Sequence, residues 1–454
     1  MAADQKSARA ARAKRRDRIL VALAHGLAVV ITAITLAILI GGLIPPWDTA
    51  MLGVHIIASE CGVWAIAALI VALALANLPP VKCWPRIVTS VAALVAIVLT
   101  AIPLLQIPGA TADAEREFTA VFGERWQTAI PAADLAAMRP ASFTFRAAFF
   151  GIPDSPDAQT GTLIHALSIP GGDGTPLAGL VYSSNAAATA TASAIAKPII
   201  ISIHGGGWHH GDASEAADCN RYLAAHGWLV YAIEYRLAPA THFPGQLDDV
   251  RCALAWIAAH AAADGGDAAR MVLIGRSAGA ELAQIAGFTM HFLDENPALK
   301  AAIKGIIAWY SPIDMATAIT NPSHPDPLDA ARLIEDYLGG DPDQFPERYR
   351  DASPLSYAVP DAVPGTGIPP LLLIAGRRDH AVLIGYQRLY HERQNAAGHP
   401  TALIEIPWAE HACDLVSDGP SAQFGLFYLE RFAAWAIHRD DHDDPTDGRW
   451  TRPR

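Results

Sequence analysis

The sequence predicts an α/β domain built on a mostly parallel sheet, preceded by three transmembrane helices. Three observations lead there. The first 107 residues contain three apolar runs of membrane-crossing length. Beyond residue 160, short β-branched runs alternate with amphipathic helical stretches. Two of those β-branched runs end directly in glycine-rich turns. Over the whole chain, 52% of 454 residues are hydrophobic and 17% charged, a balance foreign to disordered chains. The net charge of −12 argues against a nucleic-acid partner. It is unevenly divided. Residues 1–107 hold nine Lys/Arg against four Asp/Glu, a net of +5, and the remaining 24 against 41 give −17.

The apolar runs come first. Ile19 to Ile44 has 26 residues without a formal charge, Leu52 to Leu78 has 27 interrupted only by Glu60, and Ile87 to Ile107 has 21. About 20 apolar residues suffice to cross the hydrocarbon core as a helix. Pro45-Pro46 and Pro79-Pro80 end helices where the chain would leave the bilayer, and Trp47 and Trp84 suit its interface. Seven basic residues between Lys6 and Arg18 precede the first run, and Lys82 and Arg86 follow the second, whereas the first loop carries only Asp48. The positive-inside rule then makes the N-terminus and second loop cytoplasmic, and three crossings put the rest outside. A cleaved signal peptide fits less well, because the first run is longer than a signal core and two more follow. Glu60 and His55 are isolated ionisable groups, better suited to pairing between helices than to an ion path.

The expected organisation is a basic cytoplasmic tail over 1–18, a three-span region over 19–107 and a connector or cap over 108–160. An α/β domain over 161–438 and a polar tail over 439–454 complete it. Within the connector, Ala112–Ile130 reads as an amphipathic helix, serving as a connector, a membrane-surface helix or a cap. Ser183–Ala196 reads as a surface loop. Expected strands are Pro198–His204, Trp228–Tyr235, Met271–Gly275, Gly305–Tyr310, Pro370–Ala375 and Thr401–Ile406. Helices are expected near 214–226, 246–263, 278–293, 383–397 and 420–438. Continuous apolar strands separated by helices indicate a parallel sheet covered on both faces.

The chemistry concentrates at strand ends. Gly275-Arg276-Ser277-Ala278-Gly279 follows the Met271 strand and leads into a helix. A nucleophile on so sharp a turn needs small neighbours, which Gly275, Ala278, Gly279 and Ala280 provide. His204-Gly205-Gly206-Gly207-Trp208 follows the Pro198 strand, and its backbone N–H groups can converge on an oxyanion together with that of Ala278. A phosphate-binding loop is disfavoured, since no Lys-Ser/Thr pair follows. A serine needs a base, and the base an orienting acid. Asp379 follows the Pro370 strand and His411 the Thr401 strand, on the same sheet edge as Ser277. His380, His391 and His399 are less well placed. His209, His210 and Asp212 lack the further ligands a metal requires.

Residues of about 160–437 thus resemble the α/β-hydrolase fold, particularly the hormone-sensitive-lipase-like esterases and related feruloyl-esterase and formamidase-like carboxylesterases. The resemblance rests on HGGGW at 204–208, Tyr235-Arg236-Leu237-Ala238-Pro239 with Phe243-Pro244 and Asp248-Asp249, GRSAG at 275–279, and Ser311-Pro312-Ile313-Asp314. It implies Ser277 as nucleophile, His411 as general base and then acid, and Asp379 as the residue orienting the imidazole. It also implies Gly206, Gly207 and Ala278 as oxyanion donors. Arg276 departs from the acidic residue common before the nucleophile in lipase-like members; it is expected in a salt bridge or against an anionic substrate.

These readings describe a membrane-anchored serine hydrolase, in the first place a carboxylesterase acting on small-molecule, lipid or polysaccharide esters outside the cytoplasm, with no metal or organic cofactor. An amidase, peptidase or formamidase would use the same residues. A non-catalytic receptor or scaffold on a hydrolase fold is the alternative of a different class. Among Cys219, Cys252 and Cys413, one disulfide is possible.

Overall fold

The computed structural model describes residues 2–79, 83–151, 162–184, 196–289, 296–359 and 368–439. The chain divides into two units, Met1–Gln106 and Ile107–Arg454. Most of the expected loop Ser183–Ala196 and of the polar tail lies outside the described residues.

In the first unit, helix α1 spans Ala2–Gly41. Its leucines and isoleucines are widely exposed, Leu23 at 66%. Thr32 and Thr35 return their hydroxyls to carbonyls one turn earlier, so the polar groups are satisfied within the helix. The second apolar run is not the straight span expected. It forms two helices, α2 (Thr49–Glu60) and α3 (Gly62–Ala76), bent by 71° at Cys61. The break falls where apolar patterning fails. Glu60 is buried and accepts from the Ser59 hydroxyl, and a Cβ on Gly62 would lie 3.1 Å from the Thr100 carbonyl oxygen. Among the described residues, two helices are long and apolar enough to cross a membrane, or three spans if the bent pair counts as one.

The third run and the first part of the expected amphipathic segment, to Phe122, form one helix, α4 (Cys83–Phe122), which ends at Gly123 with a positive φ of 90° instead of continuing to Ile130. Its C-terminal end belongs to the second unit and acts there as a brace. Phe118 and Phe122 are buried against Tyr428 and Trp435, with ring centroids 5.4 and 4.2 Å apart. Glu117 accepts the Leu403 N–H, satisfying a donor of an edge strand. A short 3-10 turn (Trp126–Ala129) and helices α5 (Ala132–Ala137) and α6 (Phe145–Phe150) follow.

The core of the second unit is one sheet. Its described strands are β1 (Thr162–Pro170), β2 (Pro176–Ser184), β3 (Lys197–Ile203), β4 (Leu229–Ile233), β5 (Gly266–Arg276), β6 (Ile303–Trp309), β7 (Leu371–Gly376) and β8 (Thr401–Ile406). Their order is β1-β2-β4-β3-β5-β6-β7-β8. Strands β3 to β8 pair in parallel, whereas β1 and β2 form an antiparallel hairpin along β4. Ile199, Ile200, Ile201 and Ile203 are fully buried, because the central strand has cover on both faces. That cover comes from helices α7 (Ala217–Ala225), α8 (Gly245–His260), α9 (Ala278–Phe288), α10 (Pro297–Ala302), α14 (Ile384–Ala397) and α15 (Pro420–His438). Between β6 and β7 the chain adds α11 (Met315–Thr320), α12 (Ala330–Leu338) and α13 (Pro346–Asp351).

Candidate active site

The parallel strands end on one edge, and β3, β5, β7 and β8 deliver the expected residues there. Strand β5 runs into α9 through Ser277, whose φ of 50° and ψ of −119° lie outside the ordinary regions for a serine. Such a conformation costs roughly 1–3 kcal/mol and persists only when its surroundings enforce it. They do. A Cβ on Gly275 would fall 2.2 Å from the Gly279 carbonyl oxygen, and one on Gly279 would fall 2.2 Å from that of His204. The Ser277 N–H donates to the Trp309 carbonyl on β6 at 3.0 Å, locking the turn to the neighbouring strand.

Around Ser277 the three expected side chains meet. His411 Nε2 lies 3.1 Å from Ser277 Oγ, and His411 Nδ1 lies 2.9 Å from Asp379 Oδ2. The other Asp379 oxygen accepts the N–H groups of Ala381 and Val382 at 2.8 and 2.7 Å, so the carboxylate cannot turn away. Both Asp379 and His411 are buried. Burial alone pulls the imidazole pKa down; the Asp379 carboxylate, then Glu410 and Asp414, outweigh it and leave His411 above the ordinary histidine value. Glu410 is occupied: its carboxylate accepts the N–H groups of His380 and His411 and pairs with His380 Nδ1 at 2.6 Å.

The glycine turn after β3 forms the opposite wall. Gly206 and Gly207 adopt φ of 98° and 58°, and a Cβ on Gly206 would sit 2.2 Å from the His210 carbonyl oxygen. The turn is held from behind. Glu215 accepts the Gly205 N–H, and Tyr235 donates its hydroxyl to the carbonyls of His204 and Gly205 while its ring stacks on His204. Among the described residues, no acceptor is bonded to the N–H of Gly206, Gly207 or Ala278. Ala278 follows Ser277 at the start of α9, where the helix dipole favours negative charge, and Gly207 lines the same cavity as Ser277.

A mainly apolar cavity opens over Ser277 and His411, walled by Leu328, Leu333, Ile334, Val382, Leu383 and Tyr386. Its upper wall comes from α11 and α12, for which the sequence reading assigned no element. The signal was present: Leu333, Ile334, Tyr337 and Leu338 fall on one face of Ala330–Leu338, and Ile334, Tyr337 and Leu338 are buried. Also missed was a polar anchor beneath the glycine turn. Glu281 on α9 is fully buried and accepts from Trp208 Nε1 at 3.0 Å and from the Tyr337 hydroxyl. Burial drives its pKa well above the usual carboxylate range, only partly offset by the hydrogen bonds from Trp208 and Tyr337. Trp208 and Tyr337 stack at 4.3 Å, joining the turn to α12.

The remaining expectations resolve locally. Arg276 forms a buried ion pair with Asp414 at 2.6 Å rather than facing the cavity. Cys219, Cys252 and Cys413 form no disulfide with one another, so the possible bridge is not made. His209 directs its ring nitrogens to the Gly207 carbonyl and to Asp336, as a structural histidine does. The connector over 108–151 braces the C-terminal helix and contributes no residue to the cavity wall.

Residues 188–393 match the BD-FAE family model. Among curated proteins of Mycobacterium tuberculosis, the chain is 29% identical over 243 residues to the probable carboxylic ester hydrolase LipM, covering 52% of this chain and 54% of that protein. It is 30% identical over 251 residues to the esterase LipC, covering 53% and 59%. The chain thus spans little more than half the length of these relatives. Among solved structures, a bacterial heroin esterase superposes with a TM-score of 0.51 at 26% identity, covering 68% of this chain and 95% of the other. Carboxyl esterase 2 of Tuber melanosporum gives 0.50 at 22% identity, covering 67% and 97%. The second unit has the α/β-hydrolase fold.

Proposed function

We propose that the protein is a serine hydrolase of carboxylic esters, with Ser277 as nucleophile, His411 as general base and acid, and Asp379 as the residue that orients the imidazole. The observation carrying this reading is the continuous Ser277–His411–Asp379 hydrogen-bonded chain beneath an apolar cavity. Ser277 Oγ attacks the ester carbonyl carbon as His411 Nε2 takes its proton. The resulting oxyanion is held by the N–H groups of Gly206, Gly207 and Ala278. Collapse expels the alcohol, which leaves with the proton from His411, and the acyl group remains on Ser277. A water molecule then gives its proton to His411 and attacks the acyl carbon; collapse breaks the bond to Ser277 Oγ, which takes the proton back from His411, and the acid leaves. The chain's similarity to LipM, LipC and a heroin esterase supports ester rather than amide substrates.

The first unit is proposed to anchor this enzyme in a membrane with the hydrolase outside the cytoplasm. The basic residues carry that argument: if the bent pair re-entered the same side, Lys82 and Arg86 would lie outside, against the positive-inside rule. The enzymatic reading is tested on full-length protein in detergent with a fluorophosphonate probe. Wild type is expected to label and Ser277→Ala not to. Absence of labelling in folded wild type would overturn the reading.

A further inference from the structure

The residue before the nucleophile and the residue three places after the histidine are joined directly. Arg276 Nε donates to Asp414 Oδ2 at 2.6 Å, with the two side chains 5% and 8% exposed. The other Asp414 oxygen accepts the hydroxyl of Tyr310. Tyr310 follows β6 directly at a positive φ of 37°, a conformation held by its N–H bond to the Ile374 carbonyl. Its ring meets the His411 imidazole edge-on, with centroids 4.7 Å apart. Three loops, after β5, β6 and β8, thus converge on one carboxylate.

A buried ion pair is a poor source of stability, because desolvation of both charges offsets most of their attraction. An apolar pair of similar volume would hold these loops together at least as well. The location suggests another use, since the unit touches the turn that carries Ser277 and the ring that must accept its proton. Resting on the serine-hydrolase reading above, we propose that Arg276, Asp414 and Tyr310 are positioning residues. They tie the serine turn to the histidine loop, hold the His411 ring edge, and keep a balanced pair of charges beside it.

The charged and titratable groups around His411 are Asp379 at Nδ1, Glu410 in its own loop with His380 behind it, and Asp414, Arg276 and Tyr310. Of these, Asp379, Glu410 and Asp414 favour the imidazolium. Glu410 is occupied by His380 and the loop backbone, which leaves Asp414 as the carboxylate whose effect depends on Arg276. Neutralising Asp414 alone removes a group that favours the imidazolium and takes from the guanidinium its ion-pair partner, leaving it with Cys219, Tyr310 and the Glu215 carboxyl as neighbours. Both changes lower the proton affinity of His411.

The test is the pH profile of fluorophosphonate labelling rate, measured on the full chain for wild type, Asp414→Asn and the Arg276→Met/Asp414→Asn pair. His411 must be neutral to act as base, so the rate falls on the acid side. For Asp414→Asn the acid limb is expected to move down by roughly one pH unit. Adding Arg276→Met should move it back toward wild type, because the uncompensated cation is gone. Tyr310→Phe keeps the ring and removes one bond to Asp414; it is the milder variant should Asp414→Asn fold poorly. It is expected to remain folded, with a modestly lower melting temperature from the lost buried hydrogen bond, and to label more slowly at the pH optimum. A limb that stays in place in folded Asp414→Asn overturns the proposal, as does one that the second substitution does not move back. If Asp414→Asn does not fold, wild-type labelling rates in Tyr310→Phe overturn it. Failure of wild type to label at all counts against the hydrolase reading, not against this one.

Discussion

At the scale of single residues, the site rests on few side chains in enforced conformations. Replacing Ser277 with alanine removes the proposed nucleophile and little else. Ester hydrolysis by Ser277→Ala is expected to fall roughly 10⁴- to 10⁶-fold at an unchanged melting temperature, read in parallel by steady-state assay and calorimetry. The pH profile of wild type follows from His411. Its pKa is raised, and only the neutral ring accepts the serine proton, so activity is lost as pH falls through a value above that of a free histidine. Leu333 bounds the cavity over the glycine turn: its Cδ1 lies 3.0 Å from where a Cβ on Gly207 would sit. Leu333→Ala should raise the rate on longer acyl esters relative to acetyl esters by about 10-fold. Equal ratios for the two proteins across a series of 4-nitrophenyl esters would refute this. Ser277, Asp379 and His411 were legible in the sequence because each follows a recognisable strand within a few residues. The partner of Arg276 was not, since 138 positions separate it from Asp414 and no local pattern marks the pair.

At the scale of elements, the glycine-rich turns depend on contacts that only neighbouring strands supply. The Cβ of Gly279→Ala would lie 2.2 Å from the His204 carbonyl oxygen and 2.4 Å from that of Ile203, both on backbone that cannot yield. A loss of roughly 3 kcal/mol is expected in denaturant titration. Glu281 links α9, the Trp208 turn and α12. Because its pKa is raised in the folded protein, the unfolded chain releases its proton first as pH rises, and stability falls between the two values. Glu281→Gln keeps the acceptor and lacks that proton. Its melting temperature should therefore gain on wild type as pH rises from 5 to 8, whereas Glu281→Ala should lose roughly 3 kcal/mol throughout. A pH-independent difference for Glu281→Gln would mean that folding does not raise the pKa of this carboxyl. The parallel strands were visible in the sequence as apolar runs. The β1–β2 hairpin was not, because Thr162–Pro170 is mostly exposed and lacks such a run. The helices between β6 and β7 escaped because their turns are short and proline-interrupted.

For the whole molecule, topology turns on the bent pair α2–α3. Three crossings place the C-terminus outside, and two place it inside. An alkaline phosphatase fused after Arg454 in a bacterial host is expected to be active; an inactive fusion whose fluorescent-protein counterpart glows would assign the bent pair to a re-entrant loop. The sequence alone determined the division into an apolar basic first part and an acidic α/β domain, because hydropathy and strand periodicity are local properties of the chain. It also marked the two turns proposed to carry chemistry, since a serine elbow and a glycine loop are written in consecutive residues. Tertiary structure decided the rest: the bend at Cys61, the brace formed by Phe118 and Phe122, and the cavity wall from α11 and α12. It also decided the buried partners of Arg276 and Glu281. Each of these depends on residues distant in the chain meeting in a low-dielectric interior, where a polar group must find its counterpart or change its charge.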